Sequence, residues 1–457
     1  MIRAMLAEHL QAVPSDRRDA AALIVGTKVM TYARLATRIR ELSAKWRSLA
    51  GLRVGLALDE PTEFVPAAAA LDRVRCHVFF AGGRSEQEIR ALAEYLQWDA
   101  IVWNSIDAPQ RMIPASTSGA GTFCDAGMVT VLTSGTSGRP KAANHIWTTL
   151  ALPIRRDQRY AEARWLCAYP LGLYAGTQVM LQALLNWSTL VMPTSLDPTT
   201  VARTIQEAGV THASGTPTFW RQLLLFAPHD DLHICKLEQI TMGGEAVTQG
   251  LLDQLSRLFP HTRLVHIYAS TELGRLFSVT DKREGFPAEW LDRLPESGIE
   301  LQIVDGELMA CSRNAMLGYD SRLTGDSEQP IGVLRGGWMA TGDLVERRGD
   351  RVLFQGRRSD LINVGGRKVM PSTVEMVLRE AVGVGDVRVY GKSSSLVGQL
   401  VAADIVLAQG SDEGDVRTQI NRIARGRLAQ HEVPRLVRVV KSIAHSSALK
   451  VVRSEAG

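Results

Sequence analysis

The sequence predicts an α/β architecture: a large N-terminal portion of several subdomains followed by a small α+β C-terminal domain. Three observations carry this prediction. Strand-like and helix-like segments alternate along most of the 457 residues. Two apolar strands, Val129–Leu132 and Leu264–Tyr268, run straight into turns of small polar residues. After about Gly356 the elements shorten, an Arg-rich turn intervenes, and the pair Gly365-Gly366 precedes a helix that starts on Pro371.

Taken in order, Ala21–Val25 reads as a strand and Thr31–Leu49 as a helix entered through a Thr31 N-cap. Arg53–Leu58 is a short apolar strand, and Glu63–Ala70 is apolar all round, as a buried helix is. The strand ends at Leu132 and Tyr268 carry most weight, because ligands of open α/β sheets bind outside the carboxyl ends of strands. Farther on come a strand at Arg351–Phe354, strands at Val387–Tyr390 and Leu400–Val406, and a helix from Glu413 to about Leu428. A boundary at Arg357–Asp360 gives domains of residues 1–358 and 359–457.

Composition narrows the function classes. With 45% hydrophobic and 22% charged residues, 39 glycines and 18 prolines, the chain is neither collagen-like nor disordered. Lys and Arg total 52 against 48 Asp and Glu, and the +4 charge is spread along the chain, so nucleic-acid binding is not required. One basic cluster (Arg347, Arg348, Arg351, Arg357, Arg358, Arg367) suits either DNA or the phosphates of a small molecule. Five widely spaced cysteines without a C-x-x-C pair point to a reducing, cytoplasmic setting without structural zinc. Glu8 and His9 interrupt the first apolar stretch, and no run reaches the roughly 18 apolar residues a membrane span needs.

The strongest local signal is Val129-Thr-Val-Leu-Thr-Ser-Gly-Thr-Ser-Gly-Arg-Pro-Lys141. A buried strand empties into a loop where Thr133, Ser134, Gly135, Thr136, Ser137, Gly138 and Lys141 bring hydroxyls, backbone N–H groups and a cation together, as a polyphosphate requires. Arg139 and Pro140 separate the lysine from the second glycine, unlike the P-loop of NTPases. At the second strand end, Tyr268-Ala-Ser-Thr-Glu272 sets a hydroxyl beside a carboxylate, suited to a phosphate oxygen and its Mg²⁺; alone, Thr271-Glu272 reads more simply as a helix cap. In Thr341-Gly-Asp343 and Gly356-Arg357, an aspartate able to accept two ribose hydroxyls lies near an arginine. His229 and His233 lack the glutamate of H-E-x-x-H and read as structural. Ser447 to Lys450 fits S-x-x-K, but without its partner motifs.

In this order and spacing, the blocks resemble the adenylate-forming superfamily of acyl- and aryl-CoA synthetases, peptide-synthetase adenylation domains and luciferase. The resemblance runs from Thr31-Tyr32 to Lys450. It implies that residues 133–141 cradle the β- and γ-phosphates of ATP, and that Gly243-Gly244-Glu245 lines the adenine and acyl sites. Tyr268 would stack on adenine, Thr271 would contact the α-phosphate, and Glu272, with Thr136, would hold Mg²⁺. Asp343 would bind ribose with Arg357 beside it, and Lys450 would reach the carboxylate and α-phosphate during adenylation. The C-terminal domain would be a mobile lid that exchanges Lys450 for a thiol-site loop at Gly365, Gly366 and Lys368. Leu173, Tyr174, Ala269 and Ser270 would line the acyl pocket.

Departures from the family pattern are specific. Ala269 stands for the glycine of Tyr-Gly-x-Thr-Glu, Leu173 for a histidine, Ser359 at the hinge with Asp360 next, and Ala444 and Leu449 for the proline and glycine before the lysine. No aspartate lies between Tyr169 and Met180 to pair with an α-ammonium group, so a non-amino carboxylic acid is expected, with aryl or small acyl acids favoured. The thiol acceptor would be CoA or the phosphopantetheine arm of a carrier protein acting in trans. The rival expectation is a nucleotide-binding scaffold that keeps the fold and has lost turnover.

Overall fold

A computed structural model of the chain describes residues 5–104, 106, 110–111, 127–133, 140–228, 232, 235–294, 298–320, 337–394, 398–408 and 410–443. The phosphate-loop residues Ser134, Gly135, Thr136, Ser137 and Gly138, the histidines His229 and His233, and the segment carrying Lys450 lie outside them.

Two mixed sheets form the N-terminal portion. In one, the order runs from Gly318–Tyr319 through Lys141–Ile146, Met128–Thr133, His77–Phe80, Arg53–Ala57 and Ala100–Trp103 to Gln110–Arg111. Arg53–Ala57 is buried at every position, as a central parallel strand covered on both faces must be. It pairs in parallel with His77–Phe80 and Ala100–Trp103. In the other sheet, Arg263–Ser270, Gln239–Gly243, His212–Gly215, Arg164–Cys167, Thr189–Met192 and Ala21–Val25 lie parallel in that order, with antiparallel edges at Gly274–Val279 and Lys28–Thr31. The facing layers share a core that includes Val129, Val131, Trp147, Tyr169 and Tyr174.

The local readings hold with shifted ends. Thr31 Oγ1 accepts from Arg34 N at 3.3 Å and caps the helix Tyr32–Lys45. The expected continuation to Leu49 tightens into a 3₁₀ turn, Arg47–Leu49, that brings Leu49 into the core beside Trp46. The buried helix is longer than expected, Pro61–Arg73, with proline at its start, where a missing N–H costs nothing.

A third, antiparallel sheet orders Phe286–Pro287, Arg351–Arg357, Met339–Arg348, Glu307–Ser312 and Ile299–Val304. The chain then makes a 3₁₀ turn at Arg358–Asp360 and enters a separate sheet built on Val384–Ser394 and Gly398–Leu407, covered by the helices Pro371–Arg379 and Glu413–Arg427 over a core of its own. Gly356 sits at the crossing with φ +144°. A Cβ there would come within 2.4 Å of Met370 Sδ and 2.7 Å of Ser372 Oγ, so only glycine lets the first turn of the helix Pro371–Arg379 approach so closely.

The basic cluster separates into single tasks. Arg351 is buried, donates to the carbonyls of Arg283, Glu284 and Gly285, and pairs with Asp281 at 2.7 Å. Arg348 pairs with Glu346 at 2.8 Å, and Arg358 with Glu307 at 2.9 Å. No helix among the described residues is long and apolar enough to cross a membrane.

Candidate active site

The strands Met128–Thr133 and Lys141–Ile146 form an antiparallel hairpin that pairs Thr133 with Lys141, so the phosphate segment is the loop across its end. A P-loop opens into a helix instead, and the hairpin explains why the lysine stands apart from the glycines. Thr133 Oγ1 is buried with no hydrogen-bond partner among the described residues. An unsatisfied hydroxyl at the mouth of such a loop is a cost that a phosphate oxygen would remove.

Glu272 reaches the same place from the other sheet. Thr271 and Glu272 occupy the turn between Arg263–Ser270 and Gly274–Val279, so the helix-cap alternative is excluded: the segment turns into a strand. Ser270 Oγ accepts from Leu273 N at 3.0 Å, and Gly274 (φ +70°) turns the chain where a Cβ would lie 2.5 Å from Asn314 O. Ser270 is thereby committed to this turn. Tyr319 Oη donates to Glu272 Oε1 at 3.0 Å, and Lys141 Nζ stands 5.5 Å from the centre of the Tyr319 ring. Burial, then the Glu272 charge, pushes the Tyr319 phenol above its ordinary range, so it stays a donor.

Tyr319 is held from below. Its strand, Gly318–Tyr319, ends on Asp320, whose carboxylate pairs with Arg53 deep in the sheet. Arg53 also donates to Leu96 O at 2.8 Å and lies over the Phe79 ring. Beside it, His77 Nε2 lies 2.6 Å from Thr130 Oγ1, which donates to Asn144 Oδ1 at 2.6 Å.

The ribose candidate is assembled across the third sheet. Asp343 accepts from Tyr268 Oη at 2.6 Å through Oδ2 and from Arg357 Nε at 3.2 Å through Oδ1. Its own N–H donates to Thr341 Oγ1 at 3.1 Å. Glu307 accepts from Gly342 N at 2.8 Å and pairs with Arg358, fixing both strands that flank Asp343. The Tyr268 ring packs against Phe277 and Phe354, with centroids 5.2 and 4.8 Å away. Burial and the adjacent Asp343 hold its phenol well above the usual range.

Glu245 has a different setting. Its Oε2 accepts from Thr218 N at 3.0 Å and Thr218 Oγ1 at 2.7 Å, with Arg221 at 3.7 Å. The carboxylate thus sits on the first turn of the helix Pro217–Phe226, complementing its dipole, while Gly243 offers its carbonyl to Tyr169 Oη at 3.2 Å. Leu173 and Tyr174 open the helix Tyr174–Leu184, and Tyr174 and Ala269 join the shared core. Gly365 and Gly366 turn the hairpin between Ile362–Val364 and Arg367–Val369, with Gly366 N donating to Asn363 Oδ1 at 3.0 Å and Lys368 on the returning strand. Sequence reasoning missed Tyr319, Glu307 and Asp320, whose partners are remote in the chain.

Two family models match the chain: AMP-binding enzyme over residues 125–319, and AMP-binding enzyme C-terminal domain over residues 373–450. Between them they span more than half of the 457 residues. The chain belongs to the AMP-binding enzyme family. It is 29% identical over 353 residues to a 2-succinylbenzoate–CoA ligase of Geobacillus kaustophilus, covering 71% of this chain and 67% of that one. It is 24% identical to a putative long chain fatty acid–CoA ligase of Staphylococcus epidermidis, covering 98% and 97%. The o-succinylbenzoate CoA synthetase of Bacillus subtilis, solved with its acyl-adenylate intermediate, shares the fold with a TM-score of 0.74 at 20% identity, covering 99% and 98%. This AMP-binding enzyme is an adenylate-forming ligase with a large N-terminal domain and a C-terminal domain of the family's own type.

Burial sets the acid limit of the fold. Loss of solvent drives the imidazoles of His9, His145 and His212 down to about 4. Each is neutral in the folded chain and takes up a proton on unfolding once the pH falls below about 6.5. Their contribution is therefore complete above pH 6.5 and is lost between pH 6.5 and 4. Asp72, pushed up to about 7 by burial, works the opposite way and favours low pH. Three histidines against one carboxyl leave a net loss, so the melting temperature is expected to drop by on the order of 5 °C from pH 7 to pH 5. A flat thermal-shift profile across that range would contradict this.

Proposed function

We propose that this enzyme activates a non-amino carboxylic acid, aryl or small acyl, as its acyl-adenylate and passes the acyl group to the thiol of CoA or of a phosphopantetheine arm. The observation that carries the proposal is the convergence of Lys141, Tyr319 and Glu272, from two different sheets, on the hairpin end where the phosphate segment starts from the unpartnered Thr133 hydroxyl. An acid oxygen attacks the α-phosphorus of ATP, the bond to the β-phosphate oxygen breaks, and pyrophosphate leaves. The thiol sulfur then attacks the acyl carbon, and AMP departs with the bonding pair.

In this reading residues 133–141 hold the β- and γ-phosphates, Thr271 meets the α-phosphate, and Asp343 takes the ribose hydroxyls with Arg357 beside it. Tyr268 presents its ring to adenine. Lys450 approaches the reacting carboxylate and α-phosphate, and residues 359–457 form the lid. Glu272 and Thr136 would hold the magnesium ion, which when bound neutralises phosphate charge. The donor set fits. Glu272 supplies one carboxylate beside the phosphate segment, and Mg²⁺ ordinarily takes one or two carboxylates and completes its shell with water and phosphate. The similarity to 2-succinylbenzoate–CoA ligases and the absence of an aspartate between Tyr169 and Met180 support the acid class.

Asp343→Ala tests the ribose assignment. Removing a charged acceptor for two hydroxyls is expected to raise the KM for ATP by about 10–100-fold with a smaller change in kcat. An unchanged KM would remove Asp343 from the nucleotide site.

A further inference from the structure

His145 lies on the strand Lys141–Ile146, five residues from the end of the phosphate loop that closes on Pro140, and is 1% exposed. Neither ring nitrogen has a hydrogen-bond partner among the described residues. The ring stands 6.0 Å from that of Tyr174, which begins the helix Tyr174–Leu184. The Thr271 backbone is near enough to favour the imidazolium slightly, but not in hydrogen-bonding geometry. His145 is therefore flanked by a residue of the candidate acyl pocket and by the turn that carries Glu272.

A neutral imidazole has one donor and one acceptor. Leaving both unmet in a closed core is costly, because each group gives up a hydrogen bond it has in water and gains none in return. Ala143, two residues before it on the same face of the strand, and Val129 opposite it are apolar and buried. An aliphatic side chain would fit these surroundings without that cost. The buried histidines elsewhere do have polar contacts: His77 with Thr130, His212 with Thr211 and His266 with the Arg283 carbonyl. His145 differs from them, and its position next to Tyr174 and Thr271 accounts for the difference if a ligand completes the site.

We propose that His145 is a specificity-determining residue that hydrogen-bonds a polar group on the body of the acid. The enzyme would thereby select carboxylic acids bearing a hydroxyl, keto or ring-amino substituent, as distinct from an α-ammonium group, over their plain hydrocarbon parents. This rests on the acid-activating reading above. The chemistry favours discrimination, because a buried group made to meet a substrate's polar atom rejects the analogue that leaves it unpaired more strongly than an apolar wall rejects an added atom.

The test measures acid-dependent ATP–pyrophosphate exchange with matched pairs: benzoate against its hydroxy and amino derivatives, cinnamate against hydroxycinnamates, and straight-chain acids against their keto analogues. Wild-type enzyme is expected to favour at least one polar-substituted acid over its parent by roughly 100-fold in kcat/KM. In His145→Leu that ratio should fall below about tenfold through the KM of the acid, with the KM of ATP and the rate on the parent acid retained. His145→Asn, which keeps a donor and an acceptor, should restore part of the preference. If His145→Leu fails to fold, a preference in His145→Asn that is weakened but still present supports the proposal. An unchanged ranking of acids in the folded variants would overturn it and leave His145 holding a buried water only. Wild-type exchange with many acids but no polar preference also overturns it, without touching the acid-activating reading; silence with every acid overturns both.

Discussion

Asp320→Ala is expected to lower the unfolding free energy by about 3–5 kcal/mol, because it strands the Arg53 guanidinium inside the sheet. Both side chains of the pair are nearly inaccessible, at 9% and 5% exposure. Arg53 keeps a carbonyl, the His77 ring and the Phe79 face around it, none of which carries a compensating negative charge. The variant should also lose activity beyond what stability explains. Asp320 N donates to Ala142 O at 2.9 Å and Leu317 N to Asn144 O at 2.8 Å, so this short strand sets the Tyr319 ring over Lys141 and its hydroxyl against Glu272. Urea denaturation gives the first quantity. A double variant, Arg53→Met with Asp320→Ala, should recover much of the loss, since a buried pair can often be exchanged for apolar residues at little cost. Single and double variants of equal stability would show that the pair is not what holds the strand.

Lys450→Ala is expected to lower the rate of adenylation by about 10³-fold while ATP still binds. The reasoning is electrostatic. The acid and the α-phosphate are both anions, and negative charge accumulates on the phosphorus oxygens as the new bond forms, so a cation delivered there acts on the transition state more than on bound ATP. Transfer from preformed acyl-adenylate to the thiol should survive, because that step does not gain charge at the same oxygens. Single-turnover measurement of each half-reaction separates the two. Equal slowing of both would place Lys450 in general binding instead.

Much of the fold was legible because its elements are locally patterned. The strands before the phosphate loop and before Thr271-Glu272 are short apolar runs ending in small polar residues, and both appear where expected, one residue longer or more at each end. The helix Pro371–Arg379 begins on its proline. What the sequence did not show is held by long-range pairs. Arg53 and Asp320 are 267 positions apart, Tyr319 and Glu272 are 47 apart, and Tyr268 and Asp343 are 75 apart. No periodicity records such partners. The same limit explains Glu245: its sequence neighbours Gly243 and Gly244 suggest a ligand-lining segment, but the helix that claims its carboxylate begins 28 positions earlier, at Pro217. Thr271-Glu272 suggests a cap only until the strand Gly274–Val279 is seen to follow it, and His145, which shares its strand with the polar residues Lys141 and Asn144, becomes informative only once its lack of partners is known.

The central claim, that this enzyme adenylates a non-amino carboxylic acid, is tested most directly by ATP-dependent pyrophosphate release with Mg²⁺ and hydroxylamine as trap. The panel comprises benzoic, cinnamic, short-chain and long-chain acids and the amino acids. The account predicts release, and hydroxamate formation, with aryl or small acyl acids and none with amino acids. Release confined to amino acids, or no release with any acid by a protein that still binds ATP, would contradict it.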